Sequence, residues 1–458
     1  MDRTKVGIVG LGTVGSGVAR LLLDHADRTT RHAGRRLWLE QVVIQDLEKP
    51  RDVTLPEGIL STDLKRITDN KEIAAVAHLV GGLEPARTIM LEVLKSGKDV
   101  VTANKALLAE HGQELFDCAR TMGRSIAFEA AVAGGIPIIA NISQCLSANQ
   151  ILSIRGILNG TCNFILTQME ETGADYDSVL AEAQRRGYAE ADPTMDVDGT
   201  DTVQKLAILA HLAFGSAVQW GNIPRRGIDQ LNIADLRFAK ELGYRVKLLA
   251  VAELAKKGSG VIFGDRGGKL EPARRMSPDS FFGGLELHAS PALVKIGTPL
   301  AEVRGAFNAV SLVGDAVGPL FFHGLGAGQM PTASAVMADL IDTVVGRAAI
   351  TFRSLKLWSD QRVQVELADH ACSTGRYYLR FNVADRPGVL ADIAGILGRN
   401  GISIASVIQH NQDGDDGTVP LVIMTHAAAE GAMREAFDVI GRLPHVRAPS
   451  SRFRVYDS

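Results

Sequence analysis

A chain of 458 residues is too long for one hydrophobic core and implies several domains. With 46% apolar and 22% charged residues it has the composition of a soluble globular protein, and a formal net charge of −3 gives no reason to expect nucleic acid or an acidic membrane as partner. The four cysteines, Cys118, Cys145, Cys162 and Cys372, form no CxxC pair, which excludes a cysteine zinc site and a disulfide framework and fits a reducing compartment. With no signal-like apolar stretch at its start and no run approaching a membrane span, the chain reads as cytoplasmic.

Residues 5–10, KVGIVG, read as a short apolar strand running into Gly10-Leu11-Gly12-Thr13-Val14-Gly15 and then a helix over 16–23. Strand, glycine turn and helix in that order suit a dinucleotide. Gly12 lets the backbone approach a pyrophosphate, Gly15 lets the helix pack on the strand, and the first helical N–H groups face the anion. A second strand over 39–45 ends at Asp46, placed to accept from a ribose 2′-hydroxyl, as NAD requires. A basic insert over 25–36 lengthens the gap, and Lys49 and Arg51 just beyond could meet a 2′-phosphate instead, so NAD and NADP both stay open. Strands over 76–80 and 99–102 flank Gly81-Gly82, which opens another helix. Lys105 then sits at the carboxyl end of a strand, where ligands bind in open α/β sheets.

After FEAAVAGGIP at 128–137 the texture changes. β-like stretches at 151–158, 245–252, 285–289 and 309–315 interleave with helices at 176–186 and 201–214, an α+β pattern. The segment 187–205, GYAEADPTMDVDGTDTVQK, carries the most chemistry. Asp201 and Lys205 stand i and i+4 at the start of an apolar helix, so carboxylate and amine can touch, and the amine is partly desolvated, as an acid–base lysine requires. Glu190 precedes them across a loop containing Pro193 and Gly199. On spacing alone, a helix-start salt bridge and a solvated glutamate would serve equally well. A glycine run, His323-Gly-Leu-Gly-Ala-Gly328, then opens a long apolar helix and suggests close backbone contact with a ligand. Residues 351–376 read as a linker, and 377–458 as a separate unit in the order βαββαβ, a ferredoxin-like module.

Together these segments resemble homoserine dehydrogenases of the form that carries a C-terminal ACT regulatory domain. The resemblance rests on GLGTVGSGV (10–18), VTANKALLA (101–109), FEAAVAGGIPII (128–139), GILNGTCNFIL (156–166), the 187–205 block and GLGAGQMPTASAV (324–336). DRPGVLADIAGILGRNGISIASVIQ (385–409) carries the ACT likeness. The resemblance implies an α/β fold. A Rossmann-type dinucleotide-binding domain would span 1–130, completed by 316–350, with an α+β substrate and dimerisation domain over 131–315. The linker at 351–376 and the ferredoxin-like ACT domain at 377–458 would follow.

The activity so implied is NAD(P)-dependent, reversible hydride transfer between L-homoserine and L-aspartate 4-semialdehyde, in the biosynthesis of threonine, methionine and isoleucine. Lys205 would be the general acid–base, Asp201 its orienting carboxylate and Lys105 a catalytic group at the cofactor–substrate junction. Glu190 and Gly187 would bind substrate; Gly10, Gly12, Thr13, Val14, Gly15, Asp46, Gly81, Lys105, Gly326 and Gly328 the cofactor. Glu129, Val132, Gly134 and Ile136 match a loop that holds a monovalent cation, Na+ or K+, mostly through backbone carbonyls. Asp385, Gly388 and Asn400 would form a regulatory site, with L-threonine as leading effector, and open ACT sheet edges imply a homodimer or homotetramer. Two positions depart from the family pattern. Gln45 stands where many relatives have a 2′-phosphate-binding arginine, which leans toward NAD or dual use, and Cys162 replaces a usual threonine. Another NAD(P)-linked amino-acid dehydrogenase, or a catalytically dead amino-acid sensor, are the alternatives; the intact set Lys105, Glu190, Asp201 and Lys205 argues against both.

Overall fold

The first strand, β1 (Arg3–Val9), turns sharply into the helix Thr13–Asp24, buries Val6, Ile8 and Val9, and lies at the centre of a fully parallel sheet. The computed structural model describes residues 3–216, 218–256, 282–359, 365–410 and 417–457. The sheet has the order β3-β2-β1-β4-β5-β6, with β2 Arg36–Val43, β3 Leu60–Ser61, β4 Ile73–His78, β5 Asp99–Thr102 and β6 Ile126–Ala127. A parallel sheet needs helices on both faces, here including Thr13–Asp24, Ala86–Lys95 and Lys105–Thr121. The chain order reverses between β1 and β4, which opens a crevice at their carboxyl ends. The later helix Gln329–Val344 returns to this domain, and Gly17 leaves just enough room for it, since a Cβ there would lie 2.9 Å from that of Ala333.

A second, mixed sheet holds β7 (Ile151–Ile157), β8 (Tyr244–Lys256), β9 (Phe282–Lys295), β10 (Phe307–Gly314) and β11 (Gly318–Leu325). Against it lies the helix Thr200–Phe214, buried along its length except at Lys205 and Ala213, which are half-buried. A helix apolar on nearly every side belongs inside a core, and this one places its two charged residues, Asp201 and Lys205, where solvent is scarce.

The carboxy-terminal unit folds as β12 (Thr374–Ala384), helix Val389–Arg399, β13 (Ile404–Gln409), β14 (Thr418–Thr425), β15 (Ala428–Ala429), helix Glu430–Gly441 and β16 (Val446–Tyr456). Its order β16-β12-β14-β13 is ferredoxin-like. It is not the separate unit that the sequence suggests. β16 pairs in parallel with β9, Arg454–Tyr456 beside Ala292–Val294, so a single sheet runs from β11 to β13. Asp235 and Arg380 form a fully buried ion pair across the same seam. In its described residues, the stretch expected as a linker is likewise packed. The helix Arg347–Leu355 runs into it, and Phe352 and Leu357 are buried. Trp358 stacks on His211 and packs at a tilt against Phe116, and its backbone N–H donates to His211 Nε2 at 2.7 Å. Pairing between strands this far apart in sequence leaves no local periodic signal, which is why the reading missed it.

Candidate active site

A cavity of about 1260 Å³ opens at the reversal of the parallel sheet. Gly10, Gly12, Thr13, Asp46 and Gly81 line it, as expected, and Gln45, Lys49, Arg51 and Gln329 join them. The turn tolerates only glycine at its ends. Gly10 has φ +95° and backs onto Leu79, and a Cβ on Gly15 would fall 2.1 Å from the Gly10 carbonyl. Gly12 faces open space, and the helix Thr13–Asp24 begins with no side-chain cap, so its first N–H groups remain available to an anion. Shape, volume and donors fit a dinucleotide. Val14 packs into the domain core, and Gly15 shapes the turn; neither lines the cavity. At the far end, Asp46 lies in the loop after β2, where its carboxylate accepts the Glu48 N–H at 2.9 Å. Arg51 donates to the carbonyls of Asp46 and Lys49, and its Nε is buried with no hydrogen-bond partner among the described residues.

Beyond the opposite end lies a compact ionic cluster. Lys105 opens the helix Lys105–Thr121, whose N-cap, Asn104, also donates to the carbonyls of Val80 and Gly82 and so ties Lys105 to the cavity wall. Lys105 Nζ lies 3.0 Å from Asp201 Oδ1, and Lys205 Nζ lies 2.7 Å from Asp201 Oδ2. One carboxylate thus holds both ammonium groups. Lys205 also donates to the Leu158 carbonyl at 2.7 Å, so its environment is more polar than the apolar helix implies. Burial alone would raise the Asp201 pKa, but the two lysine charges outweigh it and hold the carboxyl well below the usual range. Asp201 in turn raises the Lys105 pKa.

The sequence reading missed several members of this cluster. Asn159, in the strand-to-helix turn before Gly160–Thr172, donates to Asp201 at 2.9 Å and to Asp196 at 2.8 Å. Asp196 is pushed up by burial and by Asp201 beside it. Asn308 donates to the same Leu158 carbonyl that Lys205 uses. An Asn followed by Gly before an apolar helix signals a cap, but nothing in its spacing points to a carboxylate distant in sequence.

Glu190 is exposed on a loop held by Gln184, which donates to its carbonyl at 3.1 Å, and its charge is felt at Lys105. Gly187, at φ +75°, begins that loop, and Thr161 pins it through the Tyr188 carbonyl. Gly326 and Gly328 do not line the cavity; only the following Gln329 does. Their turn instead seats against the 129–136 loop and Asn308, where a Cβ on Gly326 would fall 2.0 Å from the Asn308 side chain. In the 129–136 loop, Val132 and Ile136 are buried, and Ala133 and Gly134 take positive φ. Both Glu129 carboxylate oxygens accept N–H groups, from Ile139 and Ala140, which fix the side chain against the 138–140 turn. Asp385 and Gly388 line a cavity of about 370 Å³ in the carboxy-terminal unit. Asn400 does not share it. It caps the opposite end of the helix Val389–Arg399, where its side chain donates to the Ile396 carbonyl, so one copy of the chain does not bring the three together.

Three segments match family models in the order in which they fold: the homoserine dehydrogenase NAD-binding domain at 10–129, homoserine dehydrogenase at 137–341 and the ACT domain at 377–442. The homoserine dehydrogenase of Pseudomonas aeruginosa is 40% identical over 467 residues, covering 99% of both chains. The chain belongs to the homoserine dehydrogenase family. The homoserine dehydrogenase of Synechocystis sp. is also 40% identical, over 98% of this chain and 99% of its own. The crystal structure of a homoserine dehydrogenase from Thiobacillus denitrificans superposes with a TM-score of 0.87 at 40% identity, over 100% of this chain and 99% of that one. As a homoserine dehydrogenase, the chain is an oxidoreductase acting on a CH–OH group and has a dinucleotide-binding domain. Among the described residues no helix is long and apolar enough to cross a membrane.

Proposed function

We propose that Lys205 is the acid–base of this homoserine dehydrogenase and that Asp201 sets its position. The observation that carries this is the single carboxylate holding the ammonium groups of Lys205 and Lys105 at 2.7 and 3.0 Å. Nicotinamide, when bound, accepts or supplies the hydride at the substrate carbon. The chain supplies the rest of the chemistry. Lys205 takes the homoserine hydroxyl proton in oxidation and returns one to the developing alkoxide in reduction. Lys105, nearer the cofactor cavity, places a second positive charge beside that oxygen. Glu190 takes the substrate ammonium, and the Gly187 backbone borders the substrate. Near-normal kcat for Lys205→Ala would overturn the assignment; the expected loss is about 10²–10⁴-fold in kcat, with cofactor binding retained.

For the cofactor we propose dual use of NAD and NADP. Asp46 suits a 2′-hydroxyl, while Lys49 and Arg51 line the same end and suit a 2′-phosphate. A monovalent cation, Na+ or K+, would sit on the carbonyls of Glu129, Val132, Gly134 and Ile136, where consecutive positive-φ residues turn neighbouring peptides out of regular structure. L-threonine as effector fits the ACT cavity at Asp385 and Gly388, with the uncapped N-terminus of Val389–Arg399 facing its carboxylate. Two open sheet edges support assembly into a homodimer or homotetramer: β13, with Val407 exposed, and β11, with Phe321 and Leu325 exposed.

A further inference from the structure

We infer that a cavity at the seam between the catalytic domain and the carboxy-terminal unit is a second ligand site, built for a small oxyanion. It measures about 150 Å³ and lies between residues 224–226, β9 and β16. Four guanidinium groups line it. Two are already matched: Arg452 pairs with Glu430 at 2.7 Å, and Arg454 with Glu286. The other two are not. Neither Arg225 nor Arg226 has an ion-pair partner among the described residues. Arg225 lies 5.7 Å from the Trp220 ring centre, and Arg226 donates to the Arg452 carbonyl and covers the Phe453 ring. The histidines in the wall add hydrogen-bonding atoms rather than charge, since burial pushes His288 and His370 below the ordinary imidazole range. His370 Nδ1 is buried without a hydrogen-bond partner among the described residues.

Two unmatched guanidinium groups at a half-open cavity leave an excess of positive charge there even with Glu430 in its wall, and their planar forks match a carboxylate or a phosphate. The volume admits a group of that size and excludes a nucleotide. The shared chemistry is a small oxyanion, whether inorganic phosphate or the carboxylate of an amino acid.

The site is wired to the catalytic cluster. The Arg226 N–H donates to the Ala289 carbonyl at 2.9 Å, and the Ala289 N–H to Pro224, which fixes the arginine loop to β9. The Ile228 N–H then donates to the Val197 carbonyl at 2.8 Å, and a Cβ on Gly227 would fall 1.9 Å from that same oxygen. Val197 ends the short helix Thr194–Val197 that carries Asp196, and Asp196 shares the Asn159 amide with Asp201. A ligand that draws Arg225 and Arg226 inward therefore pulls on the segment that positions Asp201. Such coupling typically changes affinity about 5- to 150-fold, in both directions between the two ligands.

The test is calorimetric titration of the full chain, in chloride-poor buffer, with sodium phosphate and separately with L-threonine. Wild type is compared with Arg225→Gln and with Arg386→Gln, since Arg386 lines the separate cavity beside Asp385 and Gly388. One phosphate per chain should bind saturably, at least about tenfold more weakly in Arg225→Gln and unchanged in Arg386→Gln. Threonine following the same pattern makes an amino acid the source; threonine weakened only by Arg386→Gln leaves this cavity to phosphate. Arg225 is exposed, so its variant should keep the wild-type melting temperature without ligand. No saturable binding in the millimolar range, or wild-type phosphate binding by Arg225→Gln, would overturn the site. Phosphate should also shift the homoserine KM several-fold in wild type and not in Arg225→Gln. Binding with no such shift would overturn the link to Asp201.

Discussion

Two buried aspartates, each in the first turn of its helix, do opposite work. Asp235, in Ile233–Glu241, is fully buried and saturated: Arg380 reaches it at 2.6 and 2.9 Å, with Tyr378 and Ser451 hydroxyls at 3.1 and 2.7 Å. Asp201 is nearly as buried, but its partners are two lysines and an amide, and Lys105 keeps 37% of its side chain exposed. A guanidinium fork locks a carboxylate in one geometry and does not give up its proton, whereas an ammonium is a movable point charge that exchanges protons. The first cluster therefore welds domains, and the second leaves Lys105 partly open, on the side where we place the substrate oxygen. Burial and charge alone do not separate structure from chemistry; saturation and access do.

Breaking the weld should give the largest effect on stability. Asp235→Ala leaves Arg380 buried and unpaired and should cost about 3–5 kcal/mol, read as a lowered urea midpoint. For the same reason, truncation before Tyr377 should not yield the freely separable catalytic body that a motif-free linker suggests, because it strips Asp235 of its partners and uncovers the β9 edge. A truncated protein with wild-type stability would show that the seam is ornamental. Asp201→Asn should do the reverse. It should lower kcat by at least about 10²-fold through misplaced lysines, with a smaller change in melting. Because the native Asp201 pKa lies below its unfolded value, the unfolded chain takes up this proton first on acidification. Its stabilising contribution is therefore present above the ordinary carboxylate range and fades as pH falls through and below it. Asp201→Asn should flatten that part of the acid limb of a stability–pH curve.

The same contrast marks what the sequence made legible. Asp201 and Lys205 stand i and i+4 on one helix, so their contact follows from helical geometry, and the glycine turn is as the sequence announces it, crowded at Gly10 and Gly15 and open at Gly12. Four of the six strands of the parallel sheet, and the βαββαβ order, were equally readable as short apolar runs between turn residues, whereas the two-residue strands β3 and β6 are too short to leave such a run. Asp235 with Arg380, Asn159 with Asp201, and Lys105 with Asp201 join residues distant in sequence, and no local period encodes such pairs. The parallel β9–β16 junction belongs to the same class, which is why the carboxy-terminal unit read as detached. Asn400 shows the converse error: neighbours of one helix in sequence can lie at its two ends.

A moderate effect is expected at Glu190, which lies outside both clusters and is exposed. If it takes the substrate ammonium, Glu190→Gln should raise the homoserine KM about tenfold or more, the worth of a charged hydrogen bond, with little change in kcat. A drop in kcat at unchanged KM would instead place Glu190 in the electrostatics of Lys105, whose charge it already feels.

The smallest effect should come at the open end of the dinucleotide cavity, where charges are solvated and unsaturated. Gln45 and Asp46 are exposed there, and Arg51 is half-buried, with its guanidinium bound to loop carbonyls and its Nε unpartnered among the described residues. An arginine already anchored to its own loop needs little further ordering to meet a 2′-phosphate, and a carboxylate beside it repels that phosphate while accepting a 2′-hydroxyl. The two residues thus pull in opposite directions, which is the physical basis for the dual use proposed above. Gln45→Arg should tilt the ratio of kcat/KM for NADP over NAD upward by about tenfold, and Arg51→Gln should tilt it down by a similar factor, each near 1.4 kcal/mol. Steady-state kinetics with both cofactors at fixed homoserine measures the ratio directly. An enzyme that ignores NAD entirely, and whose NADP use survives Arg51→Gln, would shift the phosphate contact to Lys49 and remove Asp46 from the ribose.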